Sequence, residues 1–382
     1  MNAGPSAGFE LREVQAVPED LTDDLSPARL VGMKRFFLRA FLDGELAGIR
    51  TSLLVARDPG GRLLAAFTLS RMRVDLDCIA GPGIQAAASA ARRLLPGFMQ
   101  LELLMCGLPA SMADHEAVFA PDISSDAADD LRRAAVERSM EIVRDERLAA
   151  CVWKEFDATA RAPWAASLEG CGFDWYASVP VSVQPVGWDS PASYEASLRS
   201  SYRRQLGANL ERARAHGLEM EIDVDFAPYA GEFHPLYMQV LERSSTRLET
   251  LSPAFFRGLA GDGRVRFIRA VLDGRTAGGA ICYVEAPDLL VFLYVGMDHS
   301  VQREVDLYFN LLKGIVDLAA RHRVREIRWG QTSPDAKGRM GARLVPLWFA
   351  MRFRSPMVQS IVRLLRPALF PERSQIERRV FK

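Results

Sequence analysis

Few of the 382 residues can serve redox or metal chemistry. Five cysteines (Cys78, Cys106, Cys151, Cys171, Cys282) are dispersed without a C-x-x-C, which gives no disulfide framework and fits a reducing compartment. The five histidines (115, 216, 234, 299 and 322) lack ligand spacing, so no metal is expected. No apolar run approaches the roughly 20 residues needed to span a bilayer. The N-terminus shows no basic-then-apolar leader, and a cytoplasmic protein is the expectation. Net charge is missing too. Forty-eight basic residues balance 48 acidic ones, so no global field draws the chain to nucleic acid or membrane. The balance hides an asymmetry. Gly341 to Lys382 carries nine Arg/Lys against two Glu, a net +7, while the first thirty residues carry six acids against two arginines, a net −4.

What the chain does have, it has twice. Val55-Ala-Arg-Asp-Pro-Gly-Gly-Arg-Leu-Leu-Ala-Ala-Phe-Thr-Leu69 and Ala270-Val-Leu-Asp-Gly-Arg-Thr-Ala-Gly-Gly-Ala-Ile-Cys-Tyr283 share one form: an apolar strand, an Asp/Gly turn, and a strand of small apolar residues. That form is a β-hairpin. Each is followed by a long helical stretch and a Trp-bearing strand, Ala150–Phe156 in the first half and 325–331 in the second. The length calls for two domains. We expect an α/β (α+β) protein with two related domains, each a mixed sheet flanked by helices. The boundaries fall at 1–185 and 186–345, with a basic tail, 346–382, packing on the domains.

Other elements follow from period and punctuation. A helix is expected from Asp126 to Arg147, acidic at its start. A short helix is expected over Gln85–Leu95. One long helix should run from a Ser cap near 193 to a Gly217 stop. The buried strand Leu289–Gly296 should lead into a helix over Asp306–His322.

Helix, helix, hairpin, strand, helix, strand is the order of the GNAT acyltransferase fold, and particular blocks narrow the resemblance. Ser197-Leu-Arg-Ser-Ser-Tyr-Arg-Arg-Gln-Leu206, then Arg212 to Gly217, resembles the opening of the second domain in Fem-like, tandem-GNAT transferases. Asp273-Gly-Arg-Thr-Ala-Gly-Gly-Ala280, Tyr294-Val-Gly296, Trp329-Gly-Gln-Thr-Ser333 and Lys337-Gly-Arg-Met-Gly341 resemble its later blocks. Trp153-Lys-Glu-Phe-Asp157, Leu168-Glu-Gly-Cys-Gly-Phe173 and Val179-Pro180 resemble the end of its first domain. The likeness covers roughly residues 50–350. It implies two tandem GNAT-like domains and transfer of an acyl or aminoacyl group to an amine of a small molecule or peptide. No cofactor is held tightly. The donor is a co-substrate: acyl-CoA, an acyl carrier protein, or an aminoacyl-tRNA. An aminoacyl-tRNA-dependent amide-forming transferase and a non-catalytic binding protein of the same fold are the alternatives.

The implied pocket lies where strands 289–296 and 325–331 splay apart. Tyr294 would handle the leaving group's proton, and Gln331 and Thr332 would hold the carbonyl oxygen as charge develops on it, with Ser333 and Asp298 at the same edge. Lys337 and Arg339, in a loop, would meet phosphate or carboxylate. Arg199, Arg203 and Arg204 would present one helical face to an anionic donor or acceptor. His234 would lie along the substrate's path. The plain alternatives are a core tyrosine, a polar turn, a solvated loop, a solvated helix face and a structural histidine. One departure stands out: the loop Ser300-Val-Gln-Arg-Glu-Val-Asp306 has no glycine, where a GNAT would cradle a diphosphate. Gln302 and Arg303 are the substitute donors, and the acyl-CoA reading is weakened. The tail mixes apolar residues with arginines, so it is a candidate for peripheral contact with an anionic membrane.

Overall fold

The structure, a computed structural model, describes residues 8–25, 30–75, 100–110, 114, 115, 117–244, 249–370 and 378–382. The helix expected at 85–95 lies outside the described residues. Two compact units are present. The first comprises residues up to Val179 with 249, 250 and 346–370; the second comprises Pro180–Ser244, Leu251–Val345 and 378–382.

The first unit is built on β1 (Glu10–Val14), β2 (Ile49–Arg57), β3 (Leu63–Asp75), β4 (Gln100–Cys106), β5 (Ala117–Phe119), β6 (Ala150–Phe156) and β7 (Asp174–Ala177). The second holds β8 (Val181–Pro185), β9 (Glu219–Asp225), β10 (Val265–Leu272), β11 (Arg275–Glu285), β12 (Leu289–Met297), β13 (Glu326–Gly330) and β14 (Arg343–Val345). A fifteenth strand, β15 (Trp348–Phe353), returns to the first sheet.

The duplication extends to the whole topology. The first sheet runs β1-β2-β3-β4-β6-β15-β7, with β5 paired to β3; the second runs β9-β10-β11-β12-β13-β8-β14. In each, the fourth and fifth strands of the order are parallel, β4 with β6 and β12 with β13, and the other neighbours are antiparallel. A helix links each parallel pair, as a parallel connection requires: Ser125–Asp145 in the first unit and Leu307–His322 in the second.

Local chemistry explains these elements. Ser124 caps its helix by accepting from the Ala127 amide, and Leu131, Ala135, Val136, Met140 and Val143 recur at helical spacing on the buried side. Phe67, Trp153 and Trp164 fill the core beneath. The β10–β11 turn places Asp273 and Gly274 at positive φ, the hairpin geometry that Asp-Gly favours. The small residues of β11 make room for neighbours. A Cβ on Gly279 would fall 2.1 Å from the Phe267 ring.

Three expectations are corrected. The expected boundary at 185/186 would cut β8 away from the second sheet, where it lies between β13 and β14. The segment 346–382 is more than a tail: β15 pairs with both β6 and β7, and Val380 is buried in the second unit's core. The single helix expected at 193–217 is two, Pro191–Ser197 and Ser200–Ala215, because Leu198 and Arg199 are extended. Ser190, not Ser193, is the first cap, in a reciprocal capping box with Ser193. Gly217 does terminate the second helix, at φ +79°.

A charged knot fastens the first sheet. Arg71, 8% exposed, grips Glu13 (2.6 Å) and Glu146 (2.7 Å). Burial alone would raise the Glu13 carboxyl, but hydrogen bonds from Arg71 and Ser52 outweigh it and hold it below the usual range. The Arg71 hydrogen bond lowers Glu146 as well. Carboxyls lowered in the folded state stabilise it above their unfolded pKa, and that stability is lost as pH falls through the folded values. Arg71→Met should strand the Glu13 carboxylate, while Glu146 keeps Arg50 at 3.0 Å, and should cost about 3 kcal/mol at pH 7. The gap between variant and wild-type urea midpoints should shrink as pH falls below the ordinary carboxylate range and the carboxyls protonate. A gap independent of pH would show that packing, not charge, holds this site.

Candidate functional site

In the second sheet the parallel pairing of β12 and β13 lasts three positions, Leu289 with Glu326, Leu290 with Ile327 and Val291 with Arg328. β12 then continues to Met297 without β13 beside it in register. On its other side, the register with β11 jumps from Phe292 to Tyr294, so Leu293 forms a bulge. Leu293 therefore has no register partner on either neighbouring strand.

One side chain fills the wedge. The helix Pro334–Arg339 follows β13 and carries Lys337, which is 1% exposed. The Lys337 Nζ lies 5.5 Å from the centroid of the Phe292 ring on β12. It is also 3.9 Å from where a Cβ on Gly330, the last residue of β13, would sit. Among the described residues, no carboxylate comes within ion-pair distance of it. Burial pushes its pKa down from 10.5 to about 7. An amine that titrates near neutrality, at the divergence of two strands, is equipped to accept a proton or to face developing negative charge.

The lysine is held from behind. The Met340 carbonyl accepts hydrogen bonds from Gln184 Nε2 (2.8 Å) and the Tyr194 hydroxyl (3.0 Å). Trp329 Nε1 donates to Gln184 Oε1 at 2.9 Å, which ties β13 to the same network. Gly341, at φ +103°, lets Phe381 pack closely; a Cβ there would fall 2.3 Å from that ring.

The equivalent wedge in the first unit is closed. Lys154 on β6 donates to the carbonyls of Leu108 (2.6 Å) and Ala110 (2.8 Å). Its stem lies against Gly107, where a Cβ would sit 2.8 Å from Lys154 Cγ. Here the lysine is consumed by internal hydrogen bonds.

The expected site residues distribute as follows. Gln331 is half-buried directly after Gly330, and Thr332 and Ser333 are exposed beyond it. Ser333 hydrogen-bonds Tyr308, whose hydroxyl burial pushes up to about 12. Tyr294 stands in an aromatic cluster, edge-to-face with Phe255 and Phe256 at 5.6 and 5.8 Å. Asp298 is spent on Arg275 and Ser300. Lys337 is the largest correction, since it is a buried helical residue where a solvated loop was expected. Arg339 pairs with Asp335 at 3.2 Å.

The arginine face is also revised. Arg199 is the N-cap of its helix and donates through Nε to the Phe381 carbonyl at 3.0 Å, so it fastens the C-terminal residues. Arg203 and Arg204 are exposed on that helix. His234 Nε2 bonds the Leu251 carbonyl at 3.1 Å, a structural tie. Sequence reasoning missed the Leu293 bulge and the Gln184 network, which only the pairing register and the fold reveal.

At the loop 300–306 part of the helix N-terminus is internally bonded. The Leu307 amide donates to the Gln302 carbonyl (3.0 Å) and the Asn310 side chain turns back to the Val305 carbonyl (2.9 Å). Gln302 Oε1 bonds the His299 ring, and Arg303 is exposed. Asp306 caps the helix with φ +46° and pairs with Arg212 at 2.8 Å.

No family model matches the sequence, and no curated protein is similar to it. Solved structures are similar in fold. The C-terminal domain of an Agrobacterium fabrum protein described as a lysylphosphatidylglycerol synthetase aligns with 94% of this chain and 99% of its own, at 10% identity and a TM-score of 0.50. FemX aligns with 84% of this chain and 91% of its own, at 12% identity and 0.49. A tandem GNAT protein from the clavulanic acid biosynthesis pathway aligns with 91% and 99%, at 13% identity and 0.47. What this likeness shows is the fold: two related mixed sheets, each flanked by helices, as in the lysylphosphatidylglycerol synthetase domain.

Proposed function

We propose that this protein is an N-acyltransferase that works in the wedge of its second sheet and takes its acyl or aminoacyl group from a carrier larger than free CoA. One observation carries the reading: an uncompensated lysine with a pKa near 7 stands where β12 and β13 part. In this reading the acceptor amine attacks the donor carbonyl, and the backbone at the Leu293 bulge faces the oxygen on which charge develops. Gln331 borders the same space. Neutral Lys337 takes the proton that the attacking amine releases, and the donor leaves as a thiol or hydroxyl. A binding protein without catalysis has no use for an unpaired buried amine, which costs folding energy.

The donor side follows from the loop 300–306. A diphosphate would meet Asp306 and Glu304 there, and part of the helix terminus is internally bonded. Donor thioesters on a carrier protein or esters on charged tRNA do not need that loop. Exposed Arg203 and Arg204 offer such a carrier a cationic contact. The acceptor is a small-molecule or peptide amine.

A thermal-shift panel tests the proposal, because a ligand that binds the folded state raises its melting temperature. Acyl carrier protein loaded with acyl groups, or aminoacyl-tRNA, should raise the melting temperature and be deacylated slowly, while free CoA should do neither. Micromolar CoA binding by calorimetry would restore an acyl-CoA donor. Silence from every donor class would contradict the transferase reading itself.

A further inference from the structure

We propose that the outer face of the helix Pro356–Leu364, in the first unit, docks on an anionic lipid surface. This surface does not depend on the transfer reading. Among the described residues the large apolar side chains left exposed are Met357 (71%), Ile361 (49%), Leu364 (81%) and Leu365 (46%). Their spacing, four, three and one residues apart, gathers them on one side of the helix. Isolated exposed leucines need no explanation; three on one short helix, with Leu365 directly after it, form a patch.

The helix is fixed so that this side faces outward. Ser355 caps it. Its inner side is held by Gln359, which accepts from the Phe353 amide at 2.7 Å and donates to Asp174. Val358 and Val362 pack with Tyr176, Phe349 and Phe370.

Charge decides the occupant. Residues 346–370 contain four arginines, Arg352, Arg354, Arg363 and Arg366, and no Asp or Glu. Beside the helix, Asp174 is neutralised by Arg363 at 2.8 Å, and Glu137 and Glu141 line a cleft with Arg352 and Arg354 together with Arg144. Arg366 lies over the Tyr176 ring at 5.8 Å, and Arg354 is exposed. Two copies meeting through this face would bring like charges together, whereas an anionic headgroup layer would satisfy the arginines while the apolar side chains enter the acyl boundary. At nine residues the helix is about 14 Å long, enough to lie on a bilayer but not to cross it.

The test is co-sedimentation of the full chain with vesicles. Vesicles of phosphatidylglycerol and phosphatidylcholine in equal parts should pellet the protein, and pure phosphatidylcholine vesicles should not. Added salt should weaken the binding. Ile361→Glu/Leu364→Glu should lower it at least tenfold at an unchanged melting temperature, since both side chains are largely exposed. Arg354→Glu should lower it less. Absence of binding to the anionic vesicles overturns the proposal, as does a double variant that still binds like wild type. A dimer seen by light scattering and abolished by the double variant, without vesicle binding, would assign the face to self-association instead and likewise overturn it.

Discussion

Lys337→Met should stop acyl transfer and at the same time make the protein harder to melt. The two effects share one cause. Burial lowers the lysine's pKa from 10.5 to about 7. Between those values the unfolded chain holds a proton that the folded chain does not, so stability rises with pH across that window. The penalty is complete below about pH 7 and is relieved only toward 10.5. At pH 7.5 it amounts to roughly 4 kcal/mol, at 1.36 kcal/mol for each pKa unit. Methionine has a similar length and no charge, so it removes the penalty and keeps the packing on Phe292. The melting temperature should therefore rise by several degrees in the variant. Turnover should fall by about 10²–10⁴-fold, the usual range for a proton-transfer group. Lys337→Arg should fail in both respects, because a guanidinium stays charged and does not fit. In the wild type, kcat/KM should increase with pH through an inflection near 7. A Lys337→Met variant that melts lower, or that turns over normally, would remove the lysine from its assigned role.

The second large effect concerns the chain's end. Truncation after Val345 should unfold the first unit, although nothing before residue 180 is deleted. β15 supplies the ladder between β6 and β7, with Ala350 paired to Trp153 on one side and Trp175 on the other. Without it β7 loses its partner and β6 becomes an edge beside β4, a recognised route to aggregation. A milder variant separates pairing from deletion. Ala350 is fully buried, so Ala350→Asp places an unpaired carboxylate in the core and should cost more than 3 kcal/mol. Circular dichroism and urea titration read both variants. A truncated protein with native spectra and an unshifted midpoint would show that β15 is dispensable.

What the sequence reveals and what it hides follow the range of the interactions. The hairpins, the helices expected at 126–147 and 306–322 and the Gly217 stop are written in nearest neighbours, in Asp-Gly turns and 3.6-residue spacing, and the structure places them close to their expected limits. The splay of β12 and β13 was expected from the resemblance to a known fold, since the residues of the two strands do not themselves dictate where their pairing ends. The placement of β8 and β15 was not legible, since each sits between strands remote in sequence. Trp348-Phe-Ala-Met-Arg-Phe353 also mixes charge with apolar residues and reads as a surface segment. Lys337 was hidden for a different reason. Lysine is almost never buried unless paired, so a loop lysine was the sound expectation. Only the short helix after Pro334, pinned through Met340 to Gln184 and Tyr194, draws it inward. Arg199 was misplaced because one helix was read where two meet, which turned a cap into a face.

The most direct test is to titrate the Lys337 amine itself. Carbon-13 at the lysine Cε positions, assigned by comparison with Lys337→Met, reports each amine's protonation by NMR. One resonance, absent from the variant, should titrate near pH 7. A Lys337 resonance that titrates in the range of a solvated lysine would show a solvated or ion-paired ammonium, and would contradict a transfer centre built on a neutral amine between β12 and β13.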